Sequence, residues 1–223
     1  MEKPFGFLII IFATFAQAQT IQLHREKPRP MAGSINLGTA QFNALNPSSD
    51  FKMNNGIFLS LDGEKPFSYL GLYLEAGISY LKTSGQANYY FTSTTANYSA
   101  TNVDFNAEEV QGSFGIRVKF LEHLSLHPYL GCGISGGYFQ VTYGNGLQTA
   151  KVLATGEDYK TYDGVLDFST YGEVGAELEL SNSYGIRVLD RYSEGNTRPL
   201  ETLRKQPLRF SANAYLLSLY AKF

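Results

Sequence analysis

Apolar and polar residues alternate with a period of two along most of this chain. In the segment 168–180, Phe168, Gly172, Val174, Ala176, Leu178 and Leu180 stand on one face, and Ser169, Tyr171, Glu173, Gly175, Glu177 and Glu179 on the other. Successive side chains of a strand point to opposite faces, so this segment reads as a β-strand with one apolar and one polar side. The segment 124–138 repeats the pattern, with Leu124, Leu126, Leu130, Cys132, Ile134 and Tyr138 opposed to Ser125, His127, Tyr129 and a series of glycines and serines. Leu72, Leu74, Ala76, Ile78 and Tyr80 alternate in the same way against Tyr73, Glu75, Gly77 and Ser79. Helical periodicity is nearly absent. Runs of this kind predict eight strands, near 31–42, 55–63, 67–82, 103–120, 124–144, 166–181, 184–193 and 208–223.

The connections alternate in length. DGEKP (62–66), LEH (121–123) and Asn182-Ser183 are short, whereas 43–54, 84–102, 145–165 and 194–207 are long. An up-and-down antiparallel barrel with both termini at one end puts its short turns there and its long loops at the opposite end. The predicted fold is therefore all-β, an eight-stranded antiparallel up-and-down barrel.

Alternation leaves open which face is inside. An apolar interior would make a soluble, lipocalin-like binder; an apolar exterior would make a transmembrane β-barrel whose lumen is filled by side chains, since eight strands enclose little more space than that. Aromatic residues favour the second reading. Phe67, Phe120, Tyr184 and Phe223 fall near the short turns, and Tyr80, Phe105, Tyr138, Phe168 and Tyr192 near the long loops, as two girdles at the edges of a bilayer would. With this orientation Glu75, Glu173, Glu177 and Glu179 face inward with Arg117, Lys119, Arg187, Arg191 and Lys222. Charges withdrawn from water are costly unless paired, so the near balance of signs predicts a network of ion pairs. Such a network either holds the barrel closed or, by exchanging partners, opens a narrow ion path.

The chain closes on YLLSLYAKF, in which Tyr215, Leu217, Leu219, Ala221 and Phe223 share a face. Here it resembles the small eight-stranded bacterial outer-membrane β-barrels, the group of the OmpA transmembrane domain and the OmpX- and Opa-like barrels. Members finish on an alternating apolar strand with a terminal Phe, and the resemblance implies that Tyr215, Leu217, Leu219 and Phe223 form the insertion signal read by the barrel assembly machinery. Ala221 departs from the pattern, which usually has a bulkier residue there. PYLGCGISGGYF (128–139) is similar to the fifth-strand region of such proteins. The resemblance implies a bacterial outer-membrane location and outer-membrane lipid and lipopolysaccharide as surroundings, and it carries no catalytic motif.

Composition agrees with export. The apolar stretch FLIIIFATFA (7–16) followed by Ala16-Gln17-Ala18 reads as a secretory signal peptide over 1–18, too short to cross a bilayer as a helix. A periplasmic tail over 19–30 and the barrel over 31–223 follow. The single cysteine, Cys132, makes no internal disulfide and sits on an apolar face, and the formal charge of −2 with no basic stripe argues against nucleic-acid binding.

Candidate chemistry is sparse. Three histidines occur, His24 in the tail and His123 and His127 beside a short turn. His123-Leu124-Ser125 has the His-x-Ser spacing of lipid A deacylases, but it lies at the wrong end of the barrel for outer-leaflet lipid and has no third member. No spaced His/Cys cluster, calcium loop or phosphate loop is present, so no cofactor is expected. The long loops carry more. The stretch 84–102 is uncharged and dense in Tyr, Asn, Thr and Ser, a composition suited to adaptable contact, and with 145–165 it is a candidate for binding a surface ligand. The loop 194–207 and its flank bring Arg198, Arg204, Lys205 and Arg209 against Glu201, a basic rim suited to lipopolysaccharide phosphates. The sequence thus points to a non-enzymatic barrel for envelope structure or surface recognition. Passage of small molecules, through a narrow pore or as in OmpW-like barrels, is the alternative, and lipid A modification is a more remote one.

Overall fold

The computed structural model describes residues 30–44, 51–67, 71–92, 97–121, 124–144, 162–200 and 206–223. The expected signal peptide, nearly all of the tail, His24, His123, Arg204, Lys205 and most of the loop 145–165 lie outside them. Strands are β1 (Ala32–Ala44), β2 (Phe51–Met53), β3 (Gly56–Pro66), β4 (Leu72–Thr92), β5 (Asn97–Lys119), β6 (Leu126–Tyr143), β7 (Tyr162–Glu179), β8 (Tyr184–Leu200) and β9 (Gln206–Lys222). All pairings are antiparallel, and the ring β1-β3-β4-β5-β6-β7-β8-β9 closes where β1 pairs β9, from Ala32 opposite Lys222 to Ala44 opposite Phe210. The short β2 continues β3 along the same neighbour, pairing Gly85 to Ala87 of β4. The barrel therefore has eight staves, and closure leaves no unpaired edge around the ring.

The turn end holds both ends of the ladder. There the backbone reverses at Gly71, whose φ of 73° favours a residue without Cβ, at Leu121 and at 180–183. DGEKP is not a turn. Asp62, Gly63, Glu64, Lys65 and Pro66 belong to β3 and pair with Gly77 back to Tyr73, so the strand runs on through this segment and ends only at Pro66. Polar, Gly- and Pro-containing composition normally marks a turn; here Asp62 and Glu64 are polar because they face the lumen, and Pro66 sits at the strand end, where a lost donor costs little.

Alternation has a direction, and it reverses along the strands. Around the barrel, Ile35, Leu37, Leu61, Ile78, Phe114, Ile116, Ile134, Val174, Val188, Leu217 and Leu219 point outward, each between about two-fifths and two-thirds exposed. Such a belt is wrong for water and right for lipid. Beyond Tyr80, Val110, Tyr138, Tyr192 and Tyr215 the outward positions become polar: Lys82 and Gln86 on β4, Glu108 and Asp104 on β5, Gln140 and Thr142 on β6, Glu194 and Arg198 on β8, Arg209 on β9. The inward positions turn apolar at the same level. Phe105, Phe139, Val141, Tyr143, Leu200 and Leu208 pack together with Ala87 and Ala107. The staves thus leave the bilayer and continue as a water-exposed barrel with an ordinary apolar core, because above the lipid the outside must be solvated and the inside dry.

This reversal corrects two expectations. Phe105 is not part of a girdle; it is buried inside, edge-on to Tyr143 at 6.5 Å between centroids. It shares the parity of Arg117, 12 residues along the same strand. The segments 84–102 and 194–207 are also mostly strand, since β4 and β5 pair as far as Thr92 opposite Asn97 and β8 and β9 as far as Leu200 opposite Gln206.

Candidate functional site

Between the girdles the inward parity of the strands gathers charge. Glu64 of β3, Glu75 of β4, Arg117 and Lys119 of β5, Glu173 and Glu177 of β7, and Arg187 and Arg191 of β8 are all nine-tenths or more buried. Arg117 is the hub. Its Nη1 donates to Glu64 Oε2 at 2.6 Å, its Nε and Nη2 to Glu173 Oε1 at 2.9 and 2.6 Å, and Nη2 lies 2.9 Å from Glu75 Oε2. Arg191 donates from Nη2 to Glu173 Oε2 at 2.8 Å and to Glu75 Oε1 at 3.0 Å. Arg187 pairs with Glu177 at 2.5 Å and Glu64 at 3.1 Å, and Lys119 donates to Glu64 and, at 2.9 Å, to Glu177. Each acid thereby bridges cations from different strands, which is the condition under which buried charge is tolerable.

Tyrosines complete the layer. Tyr129 stacks under Arg117 at 4.5 Å and beside Arg187 at 5.4 Å, Tyr171 under Arg191 at 4.5 Å, and Tyr73 under Lys119 at 4.3 Å. Room for these rings comes from neighbouring glycines. A Cβ on Gly175 would sit 2.4 Å from the Tyr129 hydroxyl and 2.6 Å from the Val188 carbonyl, so only glycine lets the ring lie flat against the wall. On the other side Asn36 donates to Ser60 Oγ at 2.7 Å and to Asp62, and accepts from Ser218.

Glu179 lies at the turn end, more exposed than the rest, where it accepts from Lys222 and meets His127 Nε2 at 2.8 Å. His127 is not a solvated turn residue; it is 3% exposed and points into the barrel, as its odd position on β6 requires. Asp62 and Glu64 are the members that sequence reading missed, hidden in a segment with turn composition.

Higher in the lumen Phe42, Phe58, Leu81, Leu189 and Leu216 pack with Ala40, Ala212 and Ala214. The interior is thus ionic toward the turn end and apolar toward the loop end. Between the two zones is a cavity of about 20 Å³, room for one or two waters.

The remaining candidates are scattered. Arg198 and Arg209 are exposed above the belt, Arg209 lying 3.7 Å from Glu194. Outside the lipid, Lys82 donates to Glu108 at 2.8 Å, a bond that holds the Glu108 carboxyl below its ordinary range and the Lys82 ammonium above its own. Tyr215, Leu217, Leu219 and Phe223 are half or more exposed on the outer face of β9. Cys132 faces outward as a free thiol. Among the described residues no three His, Cys, Asp or Glu side chains gather as metal ligands.

No protein-family profile matches the chain, and no curated protein does. Solved structures do. Neisserial surface protein A (NspA) superposes with a TM-score of 0.55 at 12% identity, over 89% of this chain and 100% of that one. The outer membrane protein OprG from Pseudomonas aeruginosa does so with 0.51 at 11% identity, over 88% and 97%. At this identity the likeness is one of fold. The fold is that of the small outer-membrane β-barrels, and the apolar belt is the exterior of a barrel in lipid.

Proposed function

We propose that this protein is a non-enzymatic resident of the bacterial outer membrane whose barrel is closed and whose projecting β4–β5 hairpin recognises molecules at the cell surface. One observation carries the reading. The β4–β5 ladder runs 12 residues past Tyr80, from Lys82 opposite Glu108 to Thr92 opposite Asn97, a reach of about 40 Å along the strand. A paired ladder holds a surface in fixed shape, and the Tyr-, Asn-, Thr- and Ser-rich sequence at its end supplies contact area with adaptable hydrogen bonding.

The termini lie on the periplasmic side in this orientation. Arg198 and Arg209 then stand at the level of lipopolysaccharide phosphates, and the outward row Tyr215, Leu217, Leu219 and Phe223 is available to the barrel assembly machinery.

Replacing 88–101 by an Asn-Gly turn tests the reading. The expected result is a barrel that still folds and still migrates as a compact band unless heated, displayed by cells that no longer adhere to the surfaces the full protein binds. Unchanged adhesion with altered uptake of a small solute overturns recognition in favour of transport, the reading that the apolar upper lumen supports.

A further inference from the structure

One stave breaks the apolar belt. On β8 the outward positions between the girdles are Tyr184, Ile186, Val188, Asp190 and Tyr192, so a carboxyl stands in a row that otherwise faces lipid. Its ladder partners are Val174 of β7 and Tyr215 of β9, both half exposed on the same outer surface. Asp190 Oδ1 is buried without a hydrogen-bond partner, and no cation among the described residues reaches the carboxyl. An ionisable group on the lipid side of a span is costly, and one that is kept there marks a contact that supplies what lipid cannot.

Ring closure fixes what lies at the height of Asp190. Followed through Tyr215, Thr39 and Ile57, the ladder from Asp190 reaches β4 at Lys82; followed the other way through Val174, Leu130 and Val118, it reaches β4 at Leu72. The two arrivals are ten residues apart on one strand. The ladder therefore shifts by about one residue along the axis for each strand crossed. By way of β7 and β6 it descends toward the turns, so the positions level with Asp190 lie on the loop side of Val174 and Leu130. The outward residues there are Gly172 on β7 and Cys132 on β6.

Both are small and open. A Cβ on Gly172 would meet only the Gly131 carbonyl, at 4.0 Å, so no crowding inside the barrel calls for glycine there, in contrast to Gly175. Cys132 is an exposed free thiol. The outward residues of β7 over this stretch are Thr170, Gly172, Val174 and Ala176, none larger than valine, whereas β1 and β9 present isoleucine and leucines. Small residues on a lipid-facing surface let a second backbone approach closely.

We infer that β6, β7 and β8 form the contact face of a homodimer within the membrane, with Gly172 at its centre and Asp190 of each copy against Cys132 of the other. A two-fold axis along the membrane normal, passing beside β7, brings β7 against its own copy and sets β8 of one barrel opposite β6 of the other. Residues at one height then meet, as Asp190 and Cys132 do. The thiol is a weak donor, but no water competes for the carboxyl in lipid. A second copy is the occupant because one face carries both halves of the contact, acid and thiol, on either side of a residue with no side chain; a lipid tail offers the acid no donor. The contact is independent of what the outer hairpin recognises.

The test uses the full-length barrel folded in lipid vesicles and in density-matched detergent. Sedimentation equilibrium of the wild type is expected to show a reversible dimer. Asp190→Leu and Gly172→Leu each weaken it by about ten-fold or more while keeping the compact gel mobility, since one removes the carboxyl and the other fills a position that stands open on the monomer. Oxidation reads the geometry. Asp190→Cys, with native Cys132, gives a disulfide-linked dimer that reductant dissolves, whereas Leu61→Cys, exposed on the belt at β3 across the barrel, gives none. A wild type that sediments as a monomer, a dimer that Asp190→Leu leaves unchanged, or cross-linking as strong from Leu61→Cys overturns the inference.

Discussion

Arg117 has no exposure to solvent and carboxylates from three strands around it. Replacing it by Met leaves Glu64, Glu75 and Glu173 short of a partner inside the barrel, and breaking one side of a buried ion network costs about 3–5 kcal/mol. We expect Arg117→Met to unfold at clearly lower guanidinium concentration, with Arg117→Met/Glu75→Gln recovering part of the loss because one orphaned charge is removed with its partner. Equal midpoints for the single and double variants would show that the charges are not coupled. The inward parity of Arg117, Glu173 and Arg187 is legible in sequence, because each alternates with an apolar neighbour that must face lipid. Their connectivity is not legible: Arg117 and Glu64 are 53 residues apart, and only the closed ring brings them to 2.6 Å.

Each stave is two strands in series. Within the belt the outer face is mainly apolar, Asp190 of β8 being an exception, and past the girdle the inner face is mainly so, as in β5, where Val110, Phe114 and Ile116 point to lipid while Phe105 and Ala107 point inward. The switch is a phase change in the alternation, detectable only if the pattern is followed across Glu108 and Glu109 rather than counted within one run. On β9 the belt extends from Tyr215 to Phe223 with Leu219 at its middle. Leu219→Arg should therefore cost about 2–4 kcal/mol in equilibrium unfolding from vesicles, and Ala221→Arg, closer to the interface, only about 0–1 kcal/mol. Similar losses at the two positions would mean that the belt does not sit where its aromatics place it.

At the scale of the whole molecule, the lumen is filled twice, by ion pairs toward the turns and by apolar side chains toward the loops, and the space between them is about 20 Å³. On the closed-barrel reading proposed above, ions would cross neither layer without displacing side chains. Purified barrel in planar bilayers should give no sustained ohmic conductance, and Arg117→Met alone should not create one, since the apolar layer remains. Stable channels from the wild-type monomer would refute a closed barrel.

The sequence by itself determined the strands, their lipid face and the ends at which turns and loops fall, because a period of two and a row of leucines are local consequences of the pleat and of the solvent. It also determined that charge lines the interior, since parity follows from neighbours along one strand. Only the tertiary structure decided which charges meet, that Asp62 and Glu64 extend a stave rather than end it, and that Asp190, Gly172 and Cys132 stand at one height on the lipid face. Those facts depend on ring closure and register, which join residues from different strands and so have no signature in any single run of the chain.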